Sequence, residues 1–155
     1  MTNIPDEYRI TGSGEAAERD STIAVLIVEP GKEPYVKEID SGLESLQHEV
    51  GGYIEATYPS SVDPVAIICN ETGKIDKLPF NRGLRDENGE LYDFIMGNFM
   101  IVGLGEDNFT SLPQEYIEKY SQIFAQPELL GIVDGALTVM PDMVDDETAF
   151  SYFEL

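Results

Sequence analysis

The chain has 155 residues, and 30 Asp and Glu against 9 Lys and Arg give it a formal net charge of −21. That length suits one domain, and 42% hydrophobic residues, with eight Tyr and seven Phe, are too many for a chain disordered throughout. The charge argues against direct binding of bulk nucleic acid, which depends on Lys and Arg neutralising phosphates. Cys69 is the only cysteine, so an internal disulfide and a cysteine-cluster metal site are both excluded. The longest uncharged apolar run, Ile23 to Val28, is too short to span a membrane. No basic segment leading into an apolar one marks a signal peptide, and a cytoplasmic location is expected.

Residues 1–21 read as a flexible leader, polar and small with little apolar periodicity. The core begins at Ile23 to Val28, a β-branched run closed by Glu29-Pro30-Gly31, and Tyr35 to Ile39 follows as a second strand. Ser41 and Glu44 have capping-box spacing ahead of a helix whose Leu43, Leu46 and Val50 share one face and which stops at Gly51. Tyr53 to Tyr58 and Val65 to Cys69 are the next strands. Asn88-Gly89 is a type I′ turn signal, so residues 78 to 92 read either as a hairpin or as a short helical turn before Asp86. Asn98 to Leu104 is a further strand, and Ser111 with Gln114 suggests a second capping box. The helix that follows ends before Pro127, with Leu112, Tyr116, Tyr120 and Ile123 at helical spacing. The expected fold is α+β, with a mixed or antiparallel sheet, two main helices and an acidic C-terminal extension. Its core spans residues 22–127. Residues 128–155, with seven acids and no base, form either an edge strand and terminal helix docked on the core or a partly disordered acidic–aromatic tail.

The charge is uneven. Residues 1–85 hold 15 acids and eight bases, whereas residues 86–155 hold 15 acids and one base, Lys119. Four bases cluster between Lys74 and Arg85. With Asn81 they make a candidate anion- or nucleotide-binding set of Lys74, Lys77, Asn81, Arg82 and Arg85, because the guanidinium fork matches phosphate and carboxylate. Pairing of these arginines with local acids is the simpler account. No catalytic set assembles: His48, the only histidine, lies off the apolar helix face, and Cys69 closes a buried strand. The acids Asp142, Asp145, Asp146 and Glu147 lack the loop pattern of an EF-hand, and phosphate-loop and dinucleotide fingerprints are absent. No cofactor and no metal are expected.

Val28-Glu29-Pro30-Gly31-Lys32, Leu43 to Gln47, Val50 to Glu55, Asn81 to Asp86 and Gly97 to Gly103 occur in an order that resembles the uncharacterised "DUF three-eight-four-six" domain family. The resemblance runs from Val25 to about Pro127. It implies a domain carried by phages and mobile elements of Gram-positive bacteria, often among accessory genes, and supplies no catalytic residues. Together with the charge map, it leads to the expectation of a non-enzymatic inhibitor. Such a protein would bind the basic surface of a host nucleic-acid-handling protein, a restriction or CRISPR effector, and mimic nucleic acid. The expected acidic contacts are Glu87, Glu90, Asp93, Glu106, Asp107, Asp142, Asp145, Asp146 and Glu147, with Phe150, Tyr152 and Phe153 as apolar anchors. The alternative is a small-molecule binder that sequesters a nucleotide or signalling molecule at the Lys74–Arg85 segment.

Overall fold

A computed structural model describes residues 21–142. In chain order the elements are β1 (Thr22–Val28), β2 (Tyr35–Asp40), α1 (Leu43–Val50), β3 (Ile54–Thr57), β4 (Val65–Asn70), β5 (Phe80–Arg85), β6 (Leu91–Met96), β7 (Phe99–Leu104), β8 (Phe109–Thr110), α2 (Gln114–Ile123), β9 (Glu128–Val133) and β10 (Ala136–Pro141). The fold is α+β, and every strand pairing is antiparallel. The main sheet runs β2-β1-β7-β4-β3, with β8 paired to β7, while β5-β6 and β9-β10 are separate two-stranded units.

The main sheet is covered on both faces, which is why β1, β4 and β7 read as nearly unbroken apolar runs and not as alternations. On one face Leu46 and Val50 of α1 pack with Val25, Ile27, Ile68 and Met100. On the other, Leu84, Ile95, Tyr120 and Phe124 from the β5–β6 hairpin and α2 pack on Leu26, Ile67 and Ile101. Burying each such side chain contributes roughly 1.5–3 kcal/mol. The β9–β10 hairpin lies against β5 and so extends this second layer.

Several local expectations need correction. Neither capping box forms. The N-cap of α1 is Gly42, without a side-chain cap bond, and Ser41 is buried with its N–H donating to the Ser21 carbonyl. The N-cap of α2 is Pro113, and the Ser111 hydroxyl instead accepts the Ala24 N–H at 2.9 Å, a bond to the sheet that replaces the local one. On α2, Ile123 points to solvent, and Phe124 takes the core position by meeting Phe99 edge-on at 5.2 Å.

The turn types are also exchanged. Of Asn88-Gly89 only Gly89 has positive φ, and the connection is closed by Gly89 N–H to the Asp86 carbonyl and by Asp86 Oδ1, which accepts from the Asn88 and Glu90 N–H groups. The two-residue turn with both φ values positive is Asp134-Gly135, between β9 and β10. Residues 128–141 therefore form a hairpin and not a single edge strand, while the expected terminal helix and the leader through residue 20 lie outside the described residues.

Candidate interaction surface

The basic segment comes first, because its side chains divide between inside and outside. Asn81 is fully buried, and its Nδ2 donates to the carbonyls of Val28 (2.9 Å) and Gly97 (2.8 Å). Arg82 is 1% exposed. Its Nε and Nη2 donate to the Phe124 carbonyl at 3.1 and 2.9 Å, Nη2 also to the Lys32 carbonyl at 2.5 Å, and Nη1 to Asn81 Oδ1 at 2.9 Å. No carboxylate of a described residue bonds it. The buried cation is held by carbonyl dipoles, including one at the C-terminal end of α2, where the helix dipole is negative. Burial lowers its pKa from a very high starting value, so it stays charged. The pair thus ties together the end of β1, the β1–β2 loop, the β6–β7 turn and the end of α2.

The remaining bases of the segment reach the surface but do not converge. Arg85 pairs with Glu128 at 2.8 Å, and Glu128 also accepts the Gly83 N–H, which fastens the β9–β10 hairpin to β5. Lys74 pairs with Asp93 at 2.6 Å and lies 4.5 Å over the Phe94 ring. Lys77, exposed with a φ of 57°, makes no ion pair with a described residue.

The acidic candidates are likewise dispersed. Glu87 and Glu90 sit in the β5–β6 turn and Glu106 and Asp107 in the β7–β8 turn, all exposed. The intervening β3–β4 loop touches both regions, since the Pro64 carbonyl accepts the Leu104 N–H and Pro59 and Ser60 face Glu87. Asp142 lies by Pro127 and Gln126, just past the end of β10. Asp93 is occupied by Lys74. Asp145, Asp146, Glu147, Phe150, Tyr152 and Phe153 lie outside the described residues.

One concave feature was not foreseen. Two adjoining cavities of about 310 and 520 Å³ share Pro59, Ser60, Asp86, Glu87 and Tyr92, and form a cleft between the β3–β4 loop, the β5–β6 turn and α2. Its walls are fastened. Asp63 accepts from Lys119 and from the Tyr120 hydroxyl (2.8 Å), and the Ser60 hydroxyl accepts the N–H groups of Val62 and Asp63. The Lys119 ammonium, first, and the Tyr120 hydroxyl hold Asp63 below the usual carboxylate range, while burial, first, and Asp63 push Tyr120 upward. Asp63 and Lys119 are 56 residues apart, and nothing in their local sequence signals the pairing.

Other chemistry is sparse. His48 is exposed on α1. Burial, reinforced by Glu55 and Asp93, pushes the half-buried Cys69 thiol up to about 11, so it is protonated at neutral pH. Among the described residues no group of three or more His, Cys, Asp or Glu is placed to hold a metal ion, and no helix is long and apolar enough to cross a membrane.

Comparison with protein families matches residues 23–125 to the family described as "Domain of unknown function (DUF3846)". The chain belongs to this family. No curated protein and no solved structure matches it. The DUF3846 match takes in the Asn81–Arg82 pair and the whole cleft, and stops before the β9–β10 hairpin that contributes Glu128.

Proposed function

We propose that this DUF3846 protein is a non-enzymatic accessory inhibitor from a phage or mobile element. It occupies the basic groove of a host nucleic-acid-handling defence protein, a restriction or CRISPR effector, with its carboxylates standing in for DNA phosphates. One observation carries the reading. Of the seven bases between residues 21 and 142, five pair with an acid and Arg82 is buried, which leaves Lys77 as the one exposed base without an ion pair to a described residue. Sixteen of the 21 acids in the same span have no ion pair to a described residue, and none is buried. A surface so one-sided in sign steers association with a basic partner and repels nucleic acid itself. Sequestration of a nucleotide through Lys74, Lys77, Asn81, Arg82 and Arg85 has less support, since two of those side chains are spent inside the fold and two are ion-paired.

The test is affinity capture from a bacterial extract at low and at high salt, followed by DNA binding by the captured protein with and without this one. The expected result is a basic nucleic-acid-binding partner, lost as salt rises, whose DNA is displaced. A partner lacking a basic groove, or capture indifferent to salt, contradicts the proposal.

A further inference from the structure

We infer that the cleft between the β3–β4 loop, the β5–β6 turn and α2 receives an arginine-bearing segment of the basic partner. The inference rests on the functional reading above and adds where the anchor lies and what chemistry fills it. Tyr58 and Tyr92 line the cleft and are both more than half exposed, as are Val62 and Ile123 at its α2 side. Four large apolar side chains around one hollow form a surface that a solvated loop cluster has no need of. Asp86 and Glu87 stand on the same lining and make no ion pair with a described residue. Both cations in the lining, Arg85 and Lys119, are already neutralised by Glu128 and Asp63. The hollow therefore offers aromatic faces beside carboxylates that no described cation neutralises.

An arginine side chain is the complement of that combination. Its planar guanidinium stacks on a tyrosine ring while its edge donates to a carboxylate, and its weak hydration lowers the cost of entry. A lysine ammonium carries the same charge but is more strongly hydrated and lacks the plane. Nucleic acid is the wrong occupant, because the bases stack well on tyrosine but the phosphates meet Asp86 and Glu87. The ties from Asp63 to α2 and from Asp86 Oδ1 across its own turn fix both walls before binding, so little ordering remains to be done.

The test titrates a short, capped Arg-Gly-Arg repeat peptide into the isotopically labelled protein and follows its backbone amide resonances. The expected result is saturable shifts clustered at residues 58–62, 86–92 and 119–123. The Tyr58→Ser/Tyr92→Ser double variant should bind at least ten-fold more weakly, Glu87→Gln several-fold more weakly, and the matched Lys-Gly-Lys peptide less tightly than the arginine one. Glu44→Gln, on α1 across the sheet, should leave the titration unchanged. Salt-sensitive binding that maps elsewhere, or that survives loss of both tyrosines, overturns the cleft and leaves the anionic-surface reading standing. Absence of binding by either cationic peptide at low salt overturns both.

Discussion

Asn81 to Arg85 and Asp86 to Tyr92 adjoin in sequence on one hairpin, and the fold treats them in opposite ways. The first stretch holds the best polar recognition chemistry in the chain, and the fold uses most of it internally: Asn81 and Arg82 donate to the backbone carbonyls of Val28, Gly97, Phe124 and Lys32. The second stretch, one turn further on, presents acids and a tyrosine to solvent. A polar motif in sequence is therefore poor evidence of a polar site. What decides is whether nearby backbone leaves buried carbonyls needing donors, and here the end of α2 and the β1–β2 loop do.

If that contrast is right, substitutions in the two stretches should separate stability from binding. The largest effect belongs to Arg82→Ala, which strands the Phe124 and Lys32 carbonyls and opens a large buried space. Urea denaturation should show a loss of roughly 3–5 kcal/mol. Arg82→Lys should recover little, because three donors on a point cannot reproduce the fork. Asn81→Ala should cost roughly 2–3 kcal/mol by the same measurement, for two buried carbonyls left without donors. Glu128→Gln weakens the tie between β5 and the β9–β10 hairpin. It should cost about 1–2 kcal/mol and raise hydrogen exchange in residues 128–141 before the rest of the sheet.

The pH dependence of stability should have two outer limbs. The folded pKa of Asp63 is lowered by Lys119 and Tyr120, so its contribution is complete above its ordinary value of 3.8 and is lost as pH falls through the lower folded value. Tyr35, which donates to Glu29, is raised from 10.0 to about 12, so its contribution is complete below pH 10 and is lost as pH rises toward 12. Thermal melts across both ranges, with Asp63→Asn and Tyr35→Phe as controls, should each flatten one limb. The smallest effect is expected at Lys74→Ala, an exposed pair that contributes less than about 1 kcal/mol. A loss at Lys74 comparable to that at Arg82 would erase the distinction between the inner and outer bases.

Legibility in the sequence followed the same division. Continuous β-branched runs at Ile23 to Val28 and Val65 to Cys69, and the Leu43–Leu46–Val50 stripe, were readable because burial imposes a local pattern. The capping boxes failed because Ser41 and Ser111 sit where the sheet, and not the helix, places them or uses their hydroxyls. The I′ geometry assigned to Asn88-Gly89 occurs instead at Asp134-Gly135, while at Asn88-Gly89 the Asp86 carboxylate stabilises a longer connection. The cleft was illegible: its walls are joined by Asp63 to Lys119 and Tyr120 across more than fifty residues, and only the fold brings Tyr58 beside Tyr92. The inward fate of Arg82 was equally hidden, since apart from Asn81 Oδ1 its acceptors are main-chain carbonyls that carry no residue identity.

On the proposed function, the outward carboxylates without an ion pair to a described residue form a recognition surface that competes with nucleic acid. The most direct measurement of that competition is the equilibrium affinity for the captured partner, in competition with a short DNA duplex, over a range of salt concentrations. The account predicts that protein and duplex exclude one another from one site, and that log K falls steeply and linearly with log salt for both. Simultaneous binding of the duplex and this protein to the partner, or an affinity unchanged by salt, would contradict it.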